Sequence, residues 1–173
     1  MSGLVTALAR WRVPLGFGCA VLVFWLARPT PLLLAVGAIV AAAGEALRIW
    51  AAGHLNKSRE VTSSGPYRWF AHPLYVGSSV MGAGLAIASG SVLVALVIVT
   101  YLGATIGSAV RSEEAFLRGK FGAGYDAWRR GAAASAGEPA RRFSVAQAMA
   151  NREYRALAGA AAAMLLLWLK ASL

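Results

Sequence analysis

Residues 74–110 read LYVGSSVMGAGLAIASGSVLVALVIVTYLGATIGSAV, with no Lys, Arg, Asp or Glu, and the one polar break among them is Ser89-Gly90. Two apolar runs joined by so short a break describe a tight helical hairpin, residues 74–89 and 91–110, whose open ends face the same side. Working outward, residues 13–27 and 31–53 precede it and 156–169 follow it as further apolar runs. The shorter runs extend into their flanks to approach the roughly 20 residues a helix needs to cross the hydrocarbon core. Composition agrees: 58% of residues are hydrophobic, 14% are charged, and mean hydropathy is +0.60, far more apolar than a soluble domain. The expected fold is all-α, a polytopic integral membrane protein of about five transmembrane helices forming a single membrane-embedded domain over residues 1–173.

Orientation follows from the cations, because Lys and Arg are retained on the cytoplasmic side. Of seventeen, the loops on one face receive all but Arg28 and Lys170 on the other and Arg48 within the second span. This asymmetry puts the N-terminus in the cytoplasm and the C-terminus outside, with the bacterial inner membrane as the expected location. The net charge of +10 is then explained by positive-inside retention and contact with anionic membrane lipids, and nucleic acid is not expected as a partner because no soluble domain presents a groove. Arg10 and Arg12 ahead of an apolar stretch resemble a signal peptide. No A-x-A site follows, so the segment reads as an uncleaved anchor. The single cysteine, Cys19, excludes an internal disulfide and a cysteine-based metal site, and no metal is expected.

Two cytoplasmic segments, residues 54–73 and 111–155, interrupt the spans, and the hairpin brings residues 65–77 close to residues 110–125. Pro73 suits the first turn of the third helix, where a missing N–H costs nothing. Gly77, Ser78, Ser79, Gly82 and Gly84 then form an unusually slender stretch, read either as close helix packing or as room for a ligand beside the helix. Arg111 to Phe121 reads as a helix leaving the membrane and ended by Gly122. On it Glu113 and Glu114 border the apolar face, with an i, i+4 pair between Glu114 and Arg118 as the alternative. Glu45 and Arg48, three apart within the second span, share a helical face. Glu45 is about 12 Å deep, and the two are either a structural pair or a polar wall of a site. Gly131 to Gly137 reads as a mobile loop.

These pieces together resemble a known family. Gly65-Pro66-Tyr67-Arg68, His72-Pro73-Leu74-Tyr75-Val76-Gly77, Gly82-Ala83-Gly84, Glu113-Glu114-Ala115-Phe116-Leu117 and Phe121-Gly122-Ala123-Gly124-Tyr125 follow one another as in the isoprenylcysteine carboxyl methyltransferase and phospholipid methyltransferase superfamily. Arg48-Ile49-Trp50-Ala51 is similar to a motif that often precedes them in bacterial members. The resemblance covers about residues 44–128. It implies a small polytopic enzyme that uses S-adenosylmethionine, held in a cytoplasmic site at the base of the hairpin, with a lipid or prenylated acceptor entering from the bilayer. It implies cofactor-binding roles for His72, Pro73, Tyr75, Gly77, Gly82, Gly84, Glu113 and Glu114. Three departures stand out: Ala71 where the family usually has Arg, Trp128 where a second Tyr is common, and a fifth span where many relatives stop.

The chemistry of the residues fits that cofactor. Its sulfonium and ammonium groups call for carboxylates, which Glu113 and Glu114 supply through charge-assisted hydrogen bonds. Its carboxylate calls for free N–H groups, offered by the helix N-terminus at His72-Pro73. Tyr67, Trp69, Tyr75, Tyr125 or Trp128 can stack on adenine or face the sulfonium, although Trp69 and Phe70 read first as interface anchors. Methyl transfer needs alignment and a dry site rather than a covalent residue. The candidate catalytic residues are therefore His72, as general base toward an amine or hydroxyl acceptor or else as a helix cap, with Arg48 and Glu45 as the polar wall. Two other readings stand beside this one: an NADPH-dependent membrane reductase similar to the sterol reductases, and a non-enzymatic membrane protein in which Glu45 and Arg48 are structural.

Overall fold

A computed structural model describes residues 3–56, 62–123, 126 and 142–173. Among them are six α-helices and one 3₁₀ turn, with no strand: α1 Gly3–Leu26, α2 Pro31–His54, the 3₁₀ turn Gly65–Arg68, α3 Pro73–Ser89, α4 Val92–Phe121, α5 Val145–Ala150 and α6 Tyr154–Ser172. Tyr125, Trp128, the loop 131–137 and the cations at 57, 59, 129, 130 and 141 lie outside the described residues.

Local chemistry sets most of the helix ends. Thr30 caps α2, its hydroxyl accepting from the Leu33 N–H at 3.4 Å, and Pro31 follows at the first helical position. The hairpin turn needs Gly90, whose φ is +63° and whose missing Cβ makes room for the Arg28 carbonyl. Ser91 then caps α4 through the Val94 N–H at 3.4 Å. The Arg28 N–H donates to the Ser89 carbonyl at 2.6 Å, so the α1–α2 and α3–α4 connections are pinned together at one end of the bundle.

Packing is inverted relative to a water-soluble protein. The buried core cluster is Ala27, Leu34, Ala88 and Leu167, while Trp25, Val92, Leu96, Val99 and Trp168 are exposed. Small residues let backbones approach, as expected where apolar surface meets lipid rather than water. α2 packs chiefly on α3. A Cβ on Gly44 would lie 2.6 Å from the Gly77 carbonyl, one on Gly37 2.5 Å from the Gly84 carbonyl, and one on Gly82 would meet Leu102 of α4. The glycines at 77, 82 and 84 are therefore filled from across the helix by neighbouring backbone or side chain. Close packing, one of the two readings of this slender stretch, is what these contacts show.

α2, α4 and α6 are long and apolar enough to cross a membrane; the apolar part of α1, Pro14–Leu26, and α3, with 17 residues, are shorter. The chain is an integral membrane protein. All five apolar runs are helices at or within a few residues of their expected positions, but α1 starts ten residues earlier than expected. Residues 91–110 and 111–121 form one continuous α4 of 30 residues, about 45 Å long against a hydrocarbon core of about 30 Å. The excess carries Glu113 and Glu114 beyond the apolar window. α5 was not anticipated. α6 returns along the bundle until Lys170 bonds the carbonyls of Phe24 and Trp25 at the end of α1, which places its two ends at opposite ends of the bundle.

Candidate functional site

The end of α2, the 3₁₀ turn, the start of α3, the emergent part of α4 and the start of α6 meet at one end of the bundle. His72 occupies the N-cap position of α3 but its side chain makes no capping hydrogen bond. The imidazole turns instead to α4, with Nδ1 3.7 Å from Glu113 Oε2 and Nε2 3.4 Å from Glu114 Oε1. A neutral ring has one donor, so it can serve only one of the two carboxylates at a time. Tyr75, one turn into α3, lies beside it with ring centroids 5.7 Å apart. Glu114 is the more enclosed of the pair and Glu113 the more open, with side chains 17% and 40% exposed. Arg118, the alternative partner of Glu114, has its Nε 3.4 Å from Asp126 Oδ1 on the surface, and Glu114 reaches His72.

A second charged group lies on the α2 side. Arg48 Nη1 donates to the Leu74 carbonyl at 3.3 Å and contacts the Ser78 hydroxyl, tying α2 to the first turns of α3. Its Nε stands 3.6 Å from Glu45 Oε2, as the spacing of three predicts, but only 2.7 Å from Glu153 Oε1. Glu153 was missed by sequence reasoning. Its separation from Arg48 by more than a hundred residues hides it, and the available signal was slight: an acid opening an apolar helix, where the dipole favours it, in a chain with seven acids in all.

Tyr67 joins the two groups. Gly65, at φ +58°, turns the chain against the His54 ring and sends Tyr67 into the interior. Burial pushes its phenol well above the ordinary range, and the charges of Glu113 and Glu153 and the neighbouring Tyr75 push it further. The phenol thus stays protonated, a donor standing within electrostatic reach of carboxylates from both α4 and α6. Pro66 and Pro73 are fully buried beside it, while Trp69 and Phe70 are exposed. Among the described residues, Glu45, Glu113, Glu114 and Glu153 thus gather around Arg48, His72 and Tyr67, in a chain whose net charge is +10. Among the described residues no group of three His, Cys, Asp or Glu is arranged to hold a metal ion.

Comparison with known proteins places the fold and this constellation in context. The chain is 30% identical over 118 residues to the cobalt-zinc-cadmium resistance protein CzcN of Cupriavidus metallidurans, an alignment covering 64% of this chain and 55% of that protein. The chain thus spans little more than half the length of this curated relative. No solved structure matches. The sequence profile of phospholipid methyltransferases matches residues 11–124, which takes in α2, α3, all of α4 and every sequence-expected site residue except Tyr125 and Trp128, and on that match the chain belongs to the phospholipid methyltransferase family.

Proposed function

We propose that this protein transfers a methyl group from S-adenosylmethionine to a lipid or prenylated acceptor at the cytoplasmic face of the membrane, from a site built of Glu45, Arg48, Tyr67, His72, Pro73, Tyr75, Glu113 and Glu114 within one membrane-embedded domain. The observation that carries the reading is the gathering of four buried or half-buried carboxylates, Glu45, Glu113, Glu114 and Glu153, around His72, Arg48 and Tyr67 at one end of the bundle. When bound, S-adenosylmethionine supplies an electrophilic methyl group on a sulfonium. The residues present fit a ligand of that charge. Glu113, the more open carboxylate, takes an ammonium or a ribose hydroxyl, and Glu114 holds His72 in place behind it. In the first turn of α3 Pro73 has no N–H and those of Tyr75 and Val76 donate to the His72 carbonyl, so the Leu74 N–H is the one that can turn to an anionic group. Tyr67 contributes a phenol that donates throughout the neutral range. His72, once a ligand engages the glutamates, is free to accept a proton from a hydroxyl or amine acceptor at its vacated nitrogen. The enclosing helices exclude water from one side, which strengthens each of these contacts.

The test is ligand-dependent stabilisation. S-adenosylhomocysteine is expected to raise the thermal midpoint of the detergent-solubilised protein, since a ligand at a hundredfold excess over its Kd stabilises the folded state by about 2.7 kcal/mol, and NADPH is expected to leave it unchanged. A shift with NADPH alone would favour a reductase and overturn the proposal.

A further inference from the structure

Arg48 leaves α2 beside Gly77, where a Cβ would stand 2.6 Å from its Cγ. Beyond that passage its donors divide, Nη1 binding Leu74 and Ser78 on α3 and Nε facing Glu153 and Glu45. At 3.6 Å Glu45 is beyond hydrogen-bond distance. Neither of its oxygens has a hydrogen-bond donor although the side chain is 6% exposed. Of the two, Glu153 makes the closer ion pair with Nε, at 2.7 Å and with its side chain 8% exposed, although neither Nε nor Glu153 Oε1 completes a hydrogen bond.

Glu153 is delivered by a support built for the purpose of closing the end of α2. Ser144 caps α5, its hydroxyl accepting from the Gln147 N–H at 3.2 Å, and its own N–H donates to the Gly53 carbonyl at 3.2 Å. The side-chain amide of Gln147 donates to the Leu55 carbonyl at 2.9 Å, and that of Asn151 to Ala52 and Leu55 at 2.8 and 2.9 Å, so the last carbonyls of α2 are satisfied from α5. Arg152 then takes a left-handed conformation, φ +60°, a strained choice for a residue with a side chain. That reversal points the next residue at Arg48. All of these donors lie outside residues 11–124.

We propose that Glu153 is a positioning residue of the site: its carboxylate fixes Arg48 and, through Arg48, the register of the first turn of α3, on which His72 stands opposite Glu113 and Glu114. The inference rests on the S-adenosylmethionine reading for its effect on ligand affinity, but not for its effect on α3. It makes the C-terminal segment, α5 and α6, a working part of the site.

The test uses the full chain in detergent with Glu153→Gln, Glu153→Asp and the double variant R48Q/E153Q, and two readouts. Hydrogen exchange without ligand is expected to quicken in E153Q across residues 72–78 as well as near residue 153. S-adenosylhomocysteine affinity, by calorimetry, is expected to fall about tenfold or more, with E153D keeping most of it. If E153Q does not fold, the double variant, which leaves no unpaired buried charge between these two groups, carries the same two expectations. Exchange altered only within residues 143–172, with wild-type affinity, would overturn the inference and leave α6 as a mere anchor. A wild-type protein that does not bind S-adenosylhomocysteine overturns the cofactor reading instead, and exchange at residues 72–78 then decides the inference alone: quickened in the variant supports it, unchanged overturns it.

Discussion

Tyr67 shows how much a single residue is determined by its surroundings. Burial and two nearby carboxylates hold its phenol protonated in the folded protein, whereas in the unfolded chain it ionises near pH 10. The raised folded value means that the stability Tyr67 contributes is complete below about pH 10 and is lost as pH rises beyond it. Tyr67→Phe is therefore expected to flatten the alkaline decline in stability by about 1.4 kcal/mol for each pH unit above that point. Denaturation of the two proteins across that range checks it, and parallel curves would deny the burial. Residues of this kind were partly legible in the sequence. His72, Glu113 and Glu114 stood out because the hairpin had to bring their segments together and because paired acids are scarce in this chain. That one imidazole would lie between both carboxylates was not legible, since it depends on the ring turning away from the helix end it was placed to cap. Glu153 stayed hidden because the reversal at Arg152, an ordinary residue in a left-handed conformation, carries no sequence mark.

At the scale of the elements, hydrophobic runs fixed where the long helices lie, and small residues fixed how closely they meet. Gly84 is the clearest case: a side chain there would run into the backbone of α2 at Ala41 and Gly37, and backbone cannot step aside as a flexible side chain can. Gly84→Leu is expected to destabilise the protein by about 1–3 kcal/mol. Gly103→Leu, on the open face of α4 with nothing within 4 Å of the added Cβ, should cost much less. Thermal midpoints of the two variants separate the cases, and equal losses would contradict the packing of α2 on α3. The glycine pattern in the sequence allowed both packing and a ligand cleft, and the crossing of α2 over α3 shows the packing at Gly77 and Gly84. α5 could not be foreseen, because six residues are too few to show a helical period and its role comes from amides reaching a distant helix end.

For the whole molecule, charge organises the account. Cations gathered in the loops of one face are expected to orient the chain, with the start of α1 and the end of α6 on opposite sides. A tag preceding Met1 is expected to be protected in intact cells or spheroplasts, and one following Leu173 to be accessible from outside; both on one side would remove a crossing, with α6 the first to be reconsidered. Against this basic background four carboxylates collect where the helices converge, and the central claim is that Glu113 and Glu114 receive the ammonium of the cofactor. The most direct measurement is calorimetric titration of the wild type and the Glu113→Gln, Glu114→Gln double variant with S-adenosylhomocysteine. Gln keeps size and helix propensity while removing the charge that meets the ammonium. The account predicts that the double variant still inserts and folds but loses affinity by at least about ten- to a hundredfold, the equivalent of one charge-assisted hydrogen bond of about 1.5 to 3 kcal/mol. Wild-type affinity in the double variant would contradict it.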